Sequence, residues 1–255
     1  MTRRGRLIAL EGGEASGKST QARLLAERLG AVLTHEPGGT ALGRGIRELV
    51  LGRSSDMDAR TEALLMLADR AEHVARVIEP ALAGGRHVVT DRFLGSTLAY
   101  QGYGRGLGLE DLRSLSAWAA GGLAADLVVL IDVPRPLARA RGPQVGDRIE
   151  ALGEDFHDRV AAGYRELARR GPPWVTVDGR GPAEAVAARI AAAVAELGAE
   201  PGVAPHPGRP GHPSGAGRQP GAGGQPGGGR QPGAGRQPGA GRQPGGGRQP
   251  GGGRR

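Results

Sequence analysis

The chain has 255 residues, a formal net charge of +8 and no cysteine, which excludes disulfides and thiolate metal sites. The excess charge lies in residues 201–255: the preceding body carries 25 Arg and one Lys against 26 Asp and Glu, so it has no global basic field of the kind nucleic-acid-binding domains show. No apolar stretch approaches the roughly 18 residues of a membrane span, and Leu7 to Leu10 is too short for a signal peptide, so a cytoplasmic location is expected.

In chain order, Arg6 to Leu10 reads as a buried strand and Ser19 to Leu29 as an amphipathic helix with Leu24, Leu25 and Leu29 on one face. Ala31 to Thr34 is a second strand. Thr61 to Leu82 is a long helical pattern ended by Gly84 and Gly85. His87 to Thr90, Leu127 to Ile131 and Trp174 to Val177 are strands. Leu109 to Gly121, Phe156 to Arg169 and Pro182 to Leu197 are helices. Strands alternating with helices predict an α/β domain over residues 1–200, a doubly wound, parallel five-stranded sheet with ligands at its carboxyl edge. Residues 201–255 hold 21 Gly, 11 Pro, 6 Gln and 8 Arg, with no acid and no Leu, Ile, Phe, Tyr or Trp. Such a segment cannot offset the entropy of ordering it, and a disordered low-complexity tail is expected.

Gly12-Gly13-Glu14-Ala15-Ser16-Gly17-Lys18-Ser19 fits G-x-x-x-x-G-K-[ST] between the first strand and first helix. Glycines let the backbone wrap an anion, and the helix N-terminus adds partial positive charge. This P-loop is expected to bind ATP, with Lys18 on the β- and γ-phosphates and Ser19 on Mg²⁺. Lys18 is the only lysine in the chain, so a GTPase N-K-x-D motif is excluded. The third strand runs into Asp91 and Arg92, an acid suited to the Mg²⁺ shell and an arginine suited to a second substrate's phosphate. A donor site beside an acceptor phosphate site is a kinase arrangement. A nucleoside monophosphate is largely dianionic at pH 7, so catalysis calls for alignment and arginines rather than a base. His35, His73, His87 and His157 lack metal spacing and are assigned surface or structural roles.

Five segments, in order over nearly all of residues 6–180, resemble the bacterial thymidylate kinase family. They are Glu11 to Thr20, Glu36 to Thr40 running into Ile46 to Leu49, Leu67 to Arg70, Asp91 to Gly102, and Arg139 to Gly142 followed by Asp147 to Glu150. The resemblance implies a P-loop kinase fold, phosphorylation of dTMP to dTDP with ATP and Mg²⁺, and a homodimer. By position it implies Glu14 near the dTMP 3′-hydroxyl, Arg92 on the dTMP phosphate, and Arg70 and Thr97 at the thymine edge. Tyr100 would crowd out a ribose 2′-hydroxyl, while Glu36, Pro37, Met66 and Gln101 would complete the acceptor site. Arg139, Arg141 and Arg148 fall in the family's flexible lid, and Arg141 and Arg148 join Lys18 and Arg92 as expected catalytic residues. Met66 stands where the family often has an aromatic ring, and His35 where it has arginine. The rival reading of Arg70 and Arg92 is a structural ion pair, and that of Tyr100 and Met66 is core packing. Alternative functions are a P-loop kinase for another nucleotide or small alcohol, and a kinase whose arginine tail adds weak, salt-sensitive polyanion binding.

Overall fold

A computed structural model describes residues 4–52, 56–141 and 146–199, with side chains to residue 196. The predicted tail lies outside the described residues. Five parallel strands, β1 (Leu7–Glu11), β2 (Val32–His35), β3 (Val88–Asp91), β4 (Leu127–Asp132) and β5 (Trp174–Asp178), form one sheet in the order β2-β3-β1-β4-β5. Each predicted strand appears within one residue of its expected ends.

The helices are α1 (Lys18–Leu29), α2 (Ala41–Leu51), α3 (Ala59–His73), α4 (Glu79–Ala83), α5 (Leu94–Thr97), α6 (Leu109–Ala119), α7 (Arg135–Arg141), α8 (Glu154–Ala168) and α9 (Ala183–Ala199). Parallel strands need such crossovers, and with both faces covered the central strand is apolar up to its last residue, Glu11. All five residues of β1 are buried. Alternation sorts them: Ile8 and Leu10 pack with Leu25 of α1 and Ile190 of α9. Leu7 and Ala9 point the other way, onto Val74, Ile78, Leu82 and Phe93.

The predicted helix over Thr61 to Leu82 is interrupted. A π-helical turn, Val74–Ile78, separates α3 from α4. Pro80, in the first turn of α4, has no N–H to give the preceding turn and its ring crowds an α-helical carbonyl, so the wider π turn accommodates it. A second π turn, Leu98–Gly104, continues α5, and α8 lies against it. That contact depends on a missing side chain, because a Cβ on Gly163 would meet the Tyr103 ring at 2.5 Å.

The parallel order brings the carboxyl ends of β1, β2 and β3 to one edge. Leu10 of β1 and His35 of β2 both pair in register with Asp91 of β3. The loop after β1, the Glu36-Pro37 turn and Asp91-Arg92 are therefore neighbours by topology.

Candidate active site

The loop from Gly12 to Gly17 leaves β1 and turns directly into α1, whose N-terminus has no side-chain cap. Its backbone N–H groups therefore remain for an anion. Gly12 has φ 150°, and a Cβ there would lie 2.8 Å from the Ile131 carbonyl and 2.9 Å from Ser16 Oγ, so only glycine fits. Lys18 folds over the loop, its Nζ donating to the Gly13 carbonyl at 2.6 Å and to Ser16 Oγ at 3.3 Å. Burial first, then the nearby Arg92 charge, lowers the Lys18 ammonium to about 8.

Asp91 ends β3. Its Oδ2 accepts a short hydrogen bond from the Ser19 hydroxyl, and its Oδ1 is buried with no protein partner. A hydroxyl and a carboxylate with an unmet oxygen, side by side at the P-loop, suit a hard divalent cation such as Mg²⁺, which takes few protein ligands and keeps several waters. Among the described residues no group of three or more His, Cys, Asp or Glu could enclose a metal alone.

Arg92 follows with φ 75°, a region that costs a non-glycine residue on the order of 1–3 kcal/mol. Its N–H donates to the Leu10 carbonyl and its carbonyl accepts from Thr90 Oγ1, both at 2.9 Å. The turn beyond it is anchored on Glu11, a fully buried residue at the end of β1. Glu11 Oε1 accepts from the N–H groups of Phe93 and Ser96 at 3.0 and 3.1 Å. Its Oε2 accepts from the hydroxyls of Ser96 at 2.6 Å and Tyr164 at 3.1 Å. Burial raises the Glu11 carboxyl above its ordinary value, against the opposing hydrogen bond from Ser96 and the charge of Arg92.

The Arg92 guanidinium reaches both sides of the site. Nη1 donates to the Gly12 carbonyl at 3.2 Å, and Nη2 to Glu14 Oε1 at 2.6 Å. The same Glu14 oxygen accepts from the Tyr100 hydroxyl at 2.6 Å, and the Tyr100 ring lies 5.0 Å below the guanidinium. Burial pushes Glu14 up, but Arg92 and then Lys18 outweigh it and hold the carboxyl at about 2. Burial keeps the Tyr100 phenol protonated well beyond its ordinary range. Glu14 and Arg92 are thus a charged pair at neutral pH.

Beside this pair opens a cavity of about 110 Å³ whose lining includes Glu14, Glu36, Pro37, Met66, Arg92, Tyr100 and Gln101. Ser96, Arg47, Leu51, Asp147, Ile149 and Glu150 complete its wall. Seven residues named from the sequence for the acceptor site are therefore brought together. Arg70 and Thr97 stand behind them. Arg70 is 1% exposed, with Nε and Nη2 on Glu36 Oε2 at 3.0 and 2.8 Å and Nη1 on Ser116 Oγ at 3.2 Å. It meets the cavity through Glu36. The Oγ1 of Thr97 and the Oε1 of Gln101 are buried with no protein partner, and of the two residues Gln101 lines the cavity.

The remaining arginines are engaged elsewhere in this structure. Arg141 Nη1 donates to the Gly179 carbonyl at 3.1 Å, and Arg139 pairs with Glu154 at 3.1 Å. Arg148 donates to the Val50 carbonyl at 2.7 Å and pairs with Glu62. None of these contacts is to the P-loop. His73 is buried, its ring nitrogens 2.6 Å from Thr34 Oγ1 and 3.0 Å from Glu36 Oε1. Sequence reasoning passed over Glu11, Glu62, Ser96 and Tyr164 as site residues. Glu11 could have been found as a charge ending an apolar strand; Tyr164 meets it from 153 positions away and leaves no local trace.

Residues 10–190 match the family model described as thymidylate kinase. The chain belongs to the thymidylate kinase family. A thymidylate kinase of Leifsonia xyli subsp. xyli is 49% identical over 196 residues, covering 74% of this chain and 93% of that protein. One from Synechococcus sp. strain JA-3-3Ab is 49% identical over 189 residues, 72% and 92% of the two chains. One from Rhizorhabdus wittichii is 46% identical over 204 residues, 76% and 98%. The five-stranded α/β sheet with a P-loop after β1 is the P-loop kinase architecture, and ATP-dependent phosphoryl transfer is the chemistry of that family. No helix of the described residues is long and apolar enough to cross a membrane.

The lowered Lys18 predicts how nucleotide binding depends on pH. Bound phosphates stabilise the ammonium, so above about pH 8 binding ATP takes up a proton and weakens as pH rises. By calorimetry the ATP Kd should increase roughly tenfold or more from about pH 7.5 to about pH 9.5. The Lys18→Ala protein should lose that dependence. A wild-type Kd that stays level across the range would contradict the assignment.

Proposed function

We propose that this protein transfers the γ-phosphoryl group of ATP to dTMP, giving dTDP and ADP. The observation that carries the reading is Arg92, whose guanidinium stands between the Gly12 carbonyl of the P-loop and the acceptor cavity. ATP phosphates occupy the Gly12–Ser19 loop, with Lys18 leaving the Gly13 carbonyl for the β- and γ-phosphates. The dTMP phosphate takes up the Arg92 fork, where a planar bidentate donor matches two phosphate oxygens. Its dianion needs no base. One acceptor oxygen bonds to the γ-phosphorus as the bond to the β–γ bridging oxygen breaks, and ADP leaves with that electron pair. Mg²⁺ held at Ser19 and Asp91 would neutralise charge on the β- and γ-phosphates. Arg92 and Lys18 supply fixed positive charge that costs no reorganisation as the transition state forms. Arg141 and Arg148 join the phosphates only after exchanging the protein contacts they make here.

Glu14, released from Arg92, accepts the sugar 3′-hydroxyl, and Tyr100 walls off the position of a ribose 2′-hydroxyl. Met66 covers the base face with a soft, polarisable thioether in place of an aromatic ring. Gln101 Oε1, unmet in the cavity wall, suits the imide N–H of thymine. In a coupled ATP-consumption assay the protein should turn over dTMP best, dUMP less well and UMP much less, with AMP and GMP near background. Equal turnover of AMP or GMP would refute the reading.

A second copy of the chain is the proposed macromolecular partner. Leu42 and Leu49 of α2, Leu64 of α3, and Leu115 and Trp118 of α6 are exposed, Trp118 at 83%, and both α2 and α6 pack on α3. Large apolar side chains gathered on adjoining helices are characteristic of subunit contacts. Sedimentation should give twice the monomer mass for the wild type and a monomer for Trp118→Arg. A monomeric wild type at micromolar concentration would overturn it. The arginines of residues 201–255 are proposed to add only weak polyanion attraction, lost as salt rises.

A further inference from the structure

Glu62 lies in the first turn of α3, after the Asp58 cap. An acid there complements the helix dipole and is ordinarily exposed. Glu62 is instead completely buried, and a buried carboxylate persists only when its oxygens are filled by donors. Three residues from two distant stretches of chain fill them. Gln101 Nε2 donates to Oε1 at 2.9 Å. Arg105 donates to Oε1 at 3.3 Å and to Oε2 at 2.7 Å. Arg148 Nη2 donates to Oε2.

One of these donors lines the acceptor cavity and a second lies beside residues that do. Gln101 lines it directly. Arg148 sits between Asp147 and Ile149, which line it as well, and is tied down at its backbone by an N–H bond to the Leu51 carbonyl at 3.1 Å. The carboxylate also decides which way the Gln101 amide faces. Ionised, it accepts only, so it holds the NH₂ end and leaves the carbonyl end over. That carbonyl oxygen is buried and has no protein partner. The flipped amide would set its oxygen against the carboxylate and offer the cavity a donor instead.

We propose that Glu62 is a positioning residue for acceptor specificity. One carboxylate fixes Gln101 with its carbonyl oxygen available to a ring N–H of the base. The class selected is a pyrimidine carrying an N–H at ring position 3, as in thymine and uracil. Cytosine, with an acceptor at that position, is disfavoured because it would leave two buried acceptors facing each other. This inference rests on the cavity being the dTMP site.

The test is steady-state kinetics with dTMP and dCMP for wild type, Glu62→Gln and Glu62→Asp, with melting temperatures alongside. Glutamine keeps the shape but can no longer force the Gln101 amide. In Glu62→Gln the KM for dTMP should rise about tenfold, the KM for ATP should stay within about twofold, and the dTMP-to-dCMP ratio of kcat/KM should fall about tenfold. A purely structural residue would lower the melting temperature and scale both substrates alike, leaving that ratio intact. Aspartate preserves the counter-charge for Arg105 and Arg148, so it protects folding, and withdraws the carboxylate from Gln101; the ratio should narrow there too. An unchanged ratio in either folded variant, with a wild type selective for dTMP, overturns the role of Glu62 alone. A wild type that uses dCMP as well as dTMP overturns the reading of the cavity, and this inference with it.

Discussion

The site depends on one buried carboxylate. Glu11 ends the central strand immediately before the phosphate loop, and its two oxygens take hydrogen bonds from Phe93, Ser96 and Tyr164. The strand that launches the P-loop is thereby tied to the turn that presents Asp91 and Arg92. Burying such a group is unfavourable unless every lone pair is answered, and four donors from three elements answer these. Arg92 sits in a strained backbone region that its neighbours over-determine. The P-loop and Arg92 are consequently held in one register.

Charge in the site is arranged on the same principle. Lys18, Arg92 and Glu14 lie within one electrostatic neighbourhood: Arg92 and Lys18 lower Glu14, while Arg92 lowers and Glu14 raises Lys18. Arg92 is satisfied by Glu14 and Tyr100, and Lys18 by a backbone carbonyl. On the proposed reading, substrate phosphates would displace these partners, so that binding would exchange contacts rather than create them from bare charge. A second layer repeats the device: Arg70 and His73 hold Glu36, while Arg105 and Arg148 hold Glu62. The wall of the acceptor cavity is thus backed by buried ion pairs that fix side chains the ligand would meet.

The parallel sheet was legible because five short apolar runs alternated with helical periods, and the P-loop because its motif fell between the first strand and helix. The stretch from Leu94 to Gly104 was legible only as a motif. It is buried on nearly every side, so no amphipathic period marks it, and its Gly95, Gly102 and Gly104 argue against a helix. Ala41 to Leu51 was obscured in the same way by Gly43 and Gly45. The interruption before Pro80 was foreshadowed by the proline itself, yet the register change that absorbs it is a backbone response with no residue code. Partnerships were the least legible part. Arg70 finds Glu36 34 positions away, and Arg148 finds Glu62 86 positions away. Nothing in the local sequence of either arginine separates a substrate ligand from a buried brace.

On the proposed function, Arg92 is held at the boundary of the donor and acceptor sites to grip the acceptor's phosphate. The most direct measurement is the KM for dTMP and for ATP in Arg92→Lys, which keeps the charge and removes the planar fork. A rise of about tenfold or more is expected for dTMP, with the ATP value within about twofold of wild type. An unchanged dTMP KM accompanied by a large fall in melting temperature would contradict it and leave Arg92 as a structural partner of Glu14.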